Sequence, residues 1–380
     1  MPRNLTTEEP RSHEKHERAR RTLRRKITSC VFVFVASSWF LSSSSPSIEA
    51  QASCAPSGGL SFVCGIQNPE DLVPIPTSRW LFASGMADGS GLHLIDTTAK
   101  RGTTLYGGGK GTARADRARF PICPAPLDAK LAHLHGLSLR PAQAAGHYTL
   151  YATNHGGRES IEVFDVDATG TSPSATWVGC VPMPDKLPAN SVAVFKDGTI
   201  LATVLITPDK TFEDAFAGRI TGVVYQWTPG TPAFRKLAGT ELSANNGIET
   251  SADDREFFVV STTTKRVLAF SRADTSKPLR VAQLKEFGPD NIRMIGGRLM
   301  TAGMIDNEPA CGGAPKTAEG IRCARGYVAA SIDPKTMAVT EIARGPATPA
   351  FSGTATAIPI GTELWLGSFN ADRVAYRSLK

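Results

Sequence analysis

Three histidines and a set of asparagines and carboxylates carry the chemistry that this chain can offer. In HLHGLSL, His133 and His135 stand two apart, and His155 follows in YATNHGG, twenty residues beyond His135. Histidine ordinarily titrates near pH 6.5, so such a pair can move a proton between water and a reacting group at neutral pH. Elsewhere, short apolar runs open on a polar residue: NPEDLVPI at Glu70, PANSVAVF at Asn190, NNGIETS at Asn246, and PDNIRMI at Asp290 with Asn291. Carboxylate and amide oxygens are hard donors that select calcium or magnesium over zinc or copper. Glu70 and Asp290 would balance the charge of a divalent ion, and three neutral amides would extend its shell. An ion so held polarises a carbonyl and stabilises the oxyanion formed when water attacks it. One polar residue at the start of a strand usually means only that a turn has ended. The same feature in five segments favours a site.

Those residues need elements that bring them together. Beyond residue 52 helical periodicity is almost absent, and short apolar strands punctuated by Gly, Pro, Asp and Asn dominate. Six segments share a strand–turn–strand layout, beginning at Arg79, Tyr148, Thr199, Arg255, Gly297 and Thr362. Their separations suit β-propeller blades of about 40 to 50 residues with inserted loops. The expected fold is therefore all-β, a six-bladed β-propeller with a central calcium site. Each hairpin is preceded by a shorter strand, and the polar openings lie at the start of these. In a propeller the first strand of each blade lines the central channel, which gathers Glu70, His135, Asn190, Asn246, Asp290 and Asn291 into one ring, with Ser352 of SGTATAI as the sixth blade's counterpart. A hairpin between the strands after His135 and before His155 returns His155 to the same end of its blade. The last repeat ends with the chain, so LSFVCGI, residues 60–66, is the candidate for the missing outermost strand. FEDAF, residues 212–216, reads as a short helix over the channel mouth.

Together these segments resemble the paraoxonase (serum arylesterase and lactonase) group, within the wider calcium-dependent six-bladed propellers that include the gluconolactonases. The resemblance covers residue 68 to the C-terminus. It rests on EDL at Glu70, HGLS at His135, NHGGRESIEVF at His155, NSVAV at Asn190, NGI at Asn246 and DN at Asp290. It implies that Glu70, Asn190, Asn246, Asp290 and Asn291 bind a catalytic calcium, that His135 activates water, and that His155 is its partner. It also implies a second, structural calcium, for which Asp71 and the backbone of Leu137 remain as ligands. The aspartate that the family places after the asparagine matching Asn190 is here Ser191, which weakens that second site. The family disulfide between the N-terminal strand and the C-terminus has no counterpart, since the last cysteine is Cys323. The implied substrate is a small-molecule lactone or aryl ester. A gluconolactonase-like sugar lactonase and a non-catalytic binding propeller are the alternatives.

Composition narrows the setting. The chain has 42 Lys and Arg against 35 Asp and Glu, but nine and five of these lie in residues 1–52, leaving 33 and 30. A nucleic-acid partner has no support from a net charge of about +3. Residues 1–52 run from the basic RARRTLRRK through the apolar ITSCVFVFVASSWFL to a small-residue stretch ending Ala50-Gln51-Ala52, the order of a signal peptide cleaved after Ala52. Fifteen apolar residues fall short of the roughly 20 that span a bilayer, so no stable membrane span is expected after cleavage. The hydrolase domain then occupies residues 53–380, secreted or periplasmic. Its six cysteines suit an oxidising compartment. Cys54 with Cys64, Cys311 with Cys323 and Cys123 with Cys180 is the simplest of fifteen connectivities. Serine-hydrolase chemistry lacks a G-x-S-x-G, and GGGKGT lacks the spacing of a phosphate-binding loop.

Overall fold

The computed structural model describes residues 54–184 and 187–379. The expected leader, residues 1–52, lies outside the described residues. Strand β1 (Ser61–Cys64) precedes the first complete blade, formed by β2 (Leu72–Pro74), β3 (Trp80–Gly85), β4 (Gly91–Asp96) and β5 (Arg101–Tyr106). The second blade carries β7 (Leu134–Pro141), β8 (His147–Asn154), β9 (Ser160–Asp167) and β10 (Ser174–Pro182), with β6 (Thr112–Ala113) added in parallel at its outer edge. The third has β11 (Val192–Val194), β12 (Ile200–Val204), β13 (Val223–Trp227) and β14 (Arg235–Lys236), and the fourth β15 (Asn245–Thr250), β16 (Glu256–Ser261), β17 (Arg266–Ser271) and β18 (Arg280–Gln283). The fifth has β19 (Phe287–Ile295), β20 (Arg298–Ile305), β21 (Tyr327–Ile332) and β22 (Val339–Gly345); the sixth has β23 (Thr354–Ile360), β24 (Glu363–Ser368) and β25 (Arg373–Ser378). The fold is a six-bladed β-propeller.

Burial explains why these segments do not alternate cleanly. Blades pack face to face, so a middle strand is covered on both sides; β16 is buried from Phe257 to Ser261 and β21 along its whole length. Strands of that kind read as continuous apolar runs. Outermost strands such as β5 and β22 are largely exposed. The first strands β2, β7, β11, β15, β19 and β23 contact one another in sequence around the axis. The ring closes as LSFVCGI suggests: β1 pairs antiparallel with β25, Phe62 opposite Ala375 and Val63 opposite Val374. Phe62 also packs on Phe351, with ring centroids 6.2 Å apart. The short helix α1 (Phe212–Phe216) carries a reciprocal N-terminal cap between Thr211 and Asp214.

All three disulfides pair as the spacing suggests: Cys54–Cys64, Cys123–Cys180 and Cys311–Cys323. Among the described residues no helix is long and apolar enough to cross a membrane. The Cys123–Cys180 bridge spans 57 residues and ties the long loop before β7 to β10, with both cysteines buried. Replacing both with alanine is expected to cost about 2–5 kcal/mol, because the unfolded chain regains the freedom of that loop. Urea unfolding of oxidised wild type and the variant reads the difference, and unchanged stability would mean that packing holds the loop without the bridge.

Candidate metal centre and proton relay

Local backbone irregularity aims the polar residues. The pairing of β7 with β8 breaks between Leu134 and Leu137, that of β15 with β16 between Asn245 and Ile248, and that of β19 with β20 between Pro289 and Ile292. His135, Asn246, Asp290 and Asn291 sit at these bulges, which turn side chains out of the ordinary pleat. The glycines of HGL and NGI permit it. A Cβ on Gly136 would lie 2.5 Å from the Ser191 Cα, and one on Gly247 would lie 2.6 Å from the Asp290 carbonyl oxygen. Inner strands of neighbouring blades therefore approach closely just where the polar side chains reach the axis.

At that axis Asn291 Nδ2 donates to Glu70 Oε1 at 2.6 Å, joining the fifth blade to the first. Asn246 hydrogen-bonds the Asp290 carboxylate, and His135 Nε2 lies 3.5 Å from Glu70 Oε2. The Asn190 carbonyl accepts from the amide of Gly136 at 3.2 Å, placing the third blade against the second. Four side-chain oxygens are then buried with no hydrogen-bond partner: Glu70 Oε2, Asn190 Oδ1, Asn246 Oδ1 and Asn291 Oδ1. Such atoms cost free energy unless something meets them. The carboxylates point the same way. Burial pushes Glu70 up to about 7, against the help of Asn291 and Arg293. Asp290 rises well above the usual carboxylate range, first through burial and then through the charges of Glu70 and Asp71. Among the described residues no three His, Cys, Asp or Glu converge as a metal cluster. The donors here are amide oxygens with two carboxylates, an oxygen-only set that fits a hard divalent cation such as calcium and not zinc.

The histidines form a directed chain. His135 Nδ1 lies 3.1 Å from His155 Nε2, and His155 Nδ1 lies 2.8 Å from Glu159 Oε2. A carboxylate at the far end accepts from His155 Nδ1–H, so His155 Nε2 accepts from His135 Nδ1–H. The His135 Nε2 lone pair is thereby left facing Glu70 and the axis; this tautomer assignment follows from the hydrogen-bond network. Burial lowers His135 to about 4, because it disfavours the imidazolium; the ring is neutral at pH 7 and a weaker base than a free imidazole. His133 stays outside the chain: its Nδ1 meets Asp88 Oδ1 at 2.9 Å and its ring stands edge-on to His155.

Two expectations change. Asp71 and the Leu137 carbonyl, anticipated as ligands of a second ion, instead receive the Arg293 guanidinium, which donates to both. Arg293 also donates to the Ile292 carbonyl at 2.8 Å. Asp71 further accepts from the amides of Leu137 and Leu72 and from the Thr356 hydroxyl. A permanent planar cation thus neutralises this pocket of the axis, at 4% exposure. Ser352 lies off the ring, its hydroxyl accepting from Asn370; on the sixth blade Thr356 turns inward, donating to the Glu70 carbonyl at 2.9 Å. Glu159 was missed, although it stands only four residues after His155. Arg293 was passed over within PDNIRMI, although period-two alternation puts it on the same strand face as Asn291.

No protein-family model matches the chain, and no curated protein matches it. Among solved structures, a calcium-binding regucalcin from Agrobacterium tumefaciens is 14% identical over 84% of this chain and 93% of its own, with a TM-score of 0.49. A protein described as a putative gluconolactonase is 13% identical over 85% of this chain and 95% of its own, at 0.49. A luciferin-regenerating enzyme is 12% identical over 85% and 99%, also at 0.49.

Proposed function

We propose that this protein is an exported calcium-dependent hydrolase of lactones or aryl esters. The observation that carries the reading is the set of four orphaned oxygens, on Glu70, Asn190, Asn246 and Asn291, beside the free nitrogen of His135. The three disulfides support an oxidising compartment. Glu70, Asn190, Asn246, Asp290 and Asn291 would hold the calcium, which when bound supplies polarisation of the substrate carbonyl. His135 Nε2 accepts a proton from water as the water oxygen bonds to the carbonyl carbon. His135 Nδ1–H stays hydrogen-bonded to His155, whose own N–H is held by Glu159, so the imidazolium is stabilised and oriented. The acyl C–O bond then breaks, and His135 returns its proton to the departing alkoxide or phenoxide oxygen. The products are a hydroxy acid from a lactone, or an acid and a phenol from an aryl ester.

Hydrolysis of phenyl acetate, γ-butyrolactone and gluconolactone with calcium, and again after chelation, tests this directly. Turnover of the ester or the simple lactone that chelation abolishes and calcium restores is the expected result. Turnover indifferent to chelation would sink the metal assignment, and turnover of gluconolactone alone would favour a sugar lactonase. Calcium should also stabilise the fold, by about 2.7 kcal/mol at a hundred times its Kd. The pH dependence follows from Glu70: its folded pKa lies above the unfolded value, so without cation it contributes stability at low pH that is lost as pH rises from 4.5 through about 7. The rise in Tm on adding calcium is therefore expected to be larger at pH 8 than at pH 5.5.

A further inference from the structure

Strands β8 and β9 end opposite each other at Asn154 and Ser160, and the turn between them carries both partners of the relay's far hydrogen bond. His155 opens this turn and Glu159 closes it. Residues in a hairpin loop have no ladder of their own, so something else must fix the distance between its ends. Asn154 does so from inside the turn. Its Oδ1 accepts from the amides of Gly156 and His133, at 3.3 and 3.2 Å, and its Nδ2 donates to the carbonyls of Gly156 and Arg158, at 2.9 and 2.8 Å. Amides only donate and carbonyls only accept, which settles the orientation of the side chain. Asn154 is 1% exposed, and both of its polar atoms are fully engaged within the protein. It also joins the two histidine segments, since the His133 carbonyl accepts from the His155 amide at 3.0 Å, beside the bulge that carries His135. Glu162, a carboxylate with 0% exposure, holds the chain neighbours of Glu159 on both sides: it accepts from the Arg158 guanidinium at 2.8 and 2.9 Å and from the Ser160 hydroxyl at 2.6 Å.

Resting on the hydrolase reading above, we propose that Asn154 is a positioning residue for that reaction: it shapes the turn so that Glu159 meets His155 Nδ1–H, which keeps the His135 Nε2 lone pair facing the axis. Its hydrogen-bond partners are His133, Gly156 and Arg158, none of them a proposed calcium donor. Asn154 therefore acts through His155 and not through the metal. A proton relay needs its groups held within about 0.5 Å of the productive geometry, which a turn without this side chain does not provide.

The test reads the relay separately from turnover. Nitrogen NMR of calcium-loaded protein labelled only in histidine reports which ring nitrogen carries the proton, and the His155 signals are assigned by their loss in His155→Gln. Wild type should show His155 protonated at Nδ1 and bare at Nε2. In Asn154→Ala the two nitrogens should move toward a common average, with kcat for the responsive ester or lactone lower by about 10–100-fold and KM and the calcium requirement unchanged. Asn154→Asp keeps both accepted bonds but loses at least one donated bond, and should fall between the two in tautomer and in kcat. Mixed tautomers in wild type, a wild-type tautomer or a wild-type kcat in Asn154→Ala, or a loss confined to KM would overturn the proposal. Should Asn154→Ala fail to fold, Asn154→Asp and the wild-type tautomer decide it by the same criteria. Turnover by wild type with no effect of either substitution would leave the hydrolase standing without this role for Asn154. Averaged His155 signals in Asn154→Ala, while wild type hydrolyses no ester or lactone, would leave the positioning of His155 standing and remove the hydrolase.

Discussion

Replacing His135 with glutamine is expected to lower kcat/KM for the responsive ester or lactone by about 10²–10⁴-fold, the usual contribution of a positioned general base. Glutamine keeps the length and a hydrogen-bonding amide but cannot take a proton from water. Calcium binding should persist, because the orphaned oxygens that fit the ion belong to Glu70, Asn190, Asn246 and Asn291. The loss should therefore fall on kcat, with the calcium-induced rise in Tm retained. Glu159→Gln is the informative companion. It replaces the acceptor that holds His155 Nδ1–H at 2.8 Å, so the chain of donors no longer has a preferred direction. A loss of about 10–100-fold is expected there, as for other side chains that orient a functional histidine. Retention of wild-type rates by His135→Gln would remove the relay from the mechanism, whatever calcium does.

Arg293→Met should be the most destabilising single substitution at the axis, by about 3–5 kcal/mol, because it leaves the Asp71 carboxylate buried without its counter-charge. Asp71 is fully buried and is the residue next to Glu70, so the uncompensated charge lies against the proposed calcium donors as well. The double variant Asp71→Asn with Arg293→Met should recover part of the loss, which is the signature of a coupled pair. Should Arg293→Met fail to fold, Arg293→Lys keeps the charge without the planar fork and should still lose stability. Urea unfolding reads these differences, and a loss below about 1 kcal/mol, typical of an exposed pair, would show that the contact is not a structural cation. The same contact has a stoichiometric consequence. With the guanidinium on Asp71 and the Leu137 carbonyl, calcium titration should saturate at one equivalent per chain; two equivalents would require Arg293 to leave its place.

The blades were legible because strand length, turn residues and repeat spacing are local properties, and six recurrences make a weak local signal firm. LSFVCGI could be matched to the sixth blade by the same arithmetic, since a last repeat without a fourth strand leaves an open edge at β25. Five polar openings pointed to the axis, and the structure brings Glu70, His135, Asn246, Asp290 and Asn291 together there, with Asn190 on the adjoining blade. Ser352 misled because residue type at a strand start says nothing about which turn of the backbone carries it past the axis. On that blade Thr356, four residues later, faces Glu70 and Asp71.

Sequence alone determined the kind of fold, the oxygen-rich character of the axial residues and the nearness of His135 to His155, all of which follow from spacing within a blade or from its repetition; among fifteen cysteine connectivities it offered only the simplest, which the structure selects. Tertiary structure decided what those residues meet. Arg293 finds Asp71 across 222 positions, and a cavity beside Asp290 draws Phe216, Met304 and Ile321 from separate segments. Such contacts depend on how blades rotate about a shared axis and how loops fold over its mouth, and neither quantity has a period that a linear chain displays.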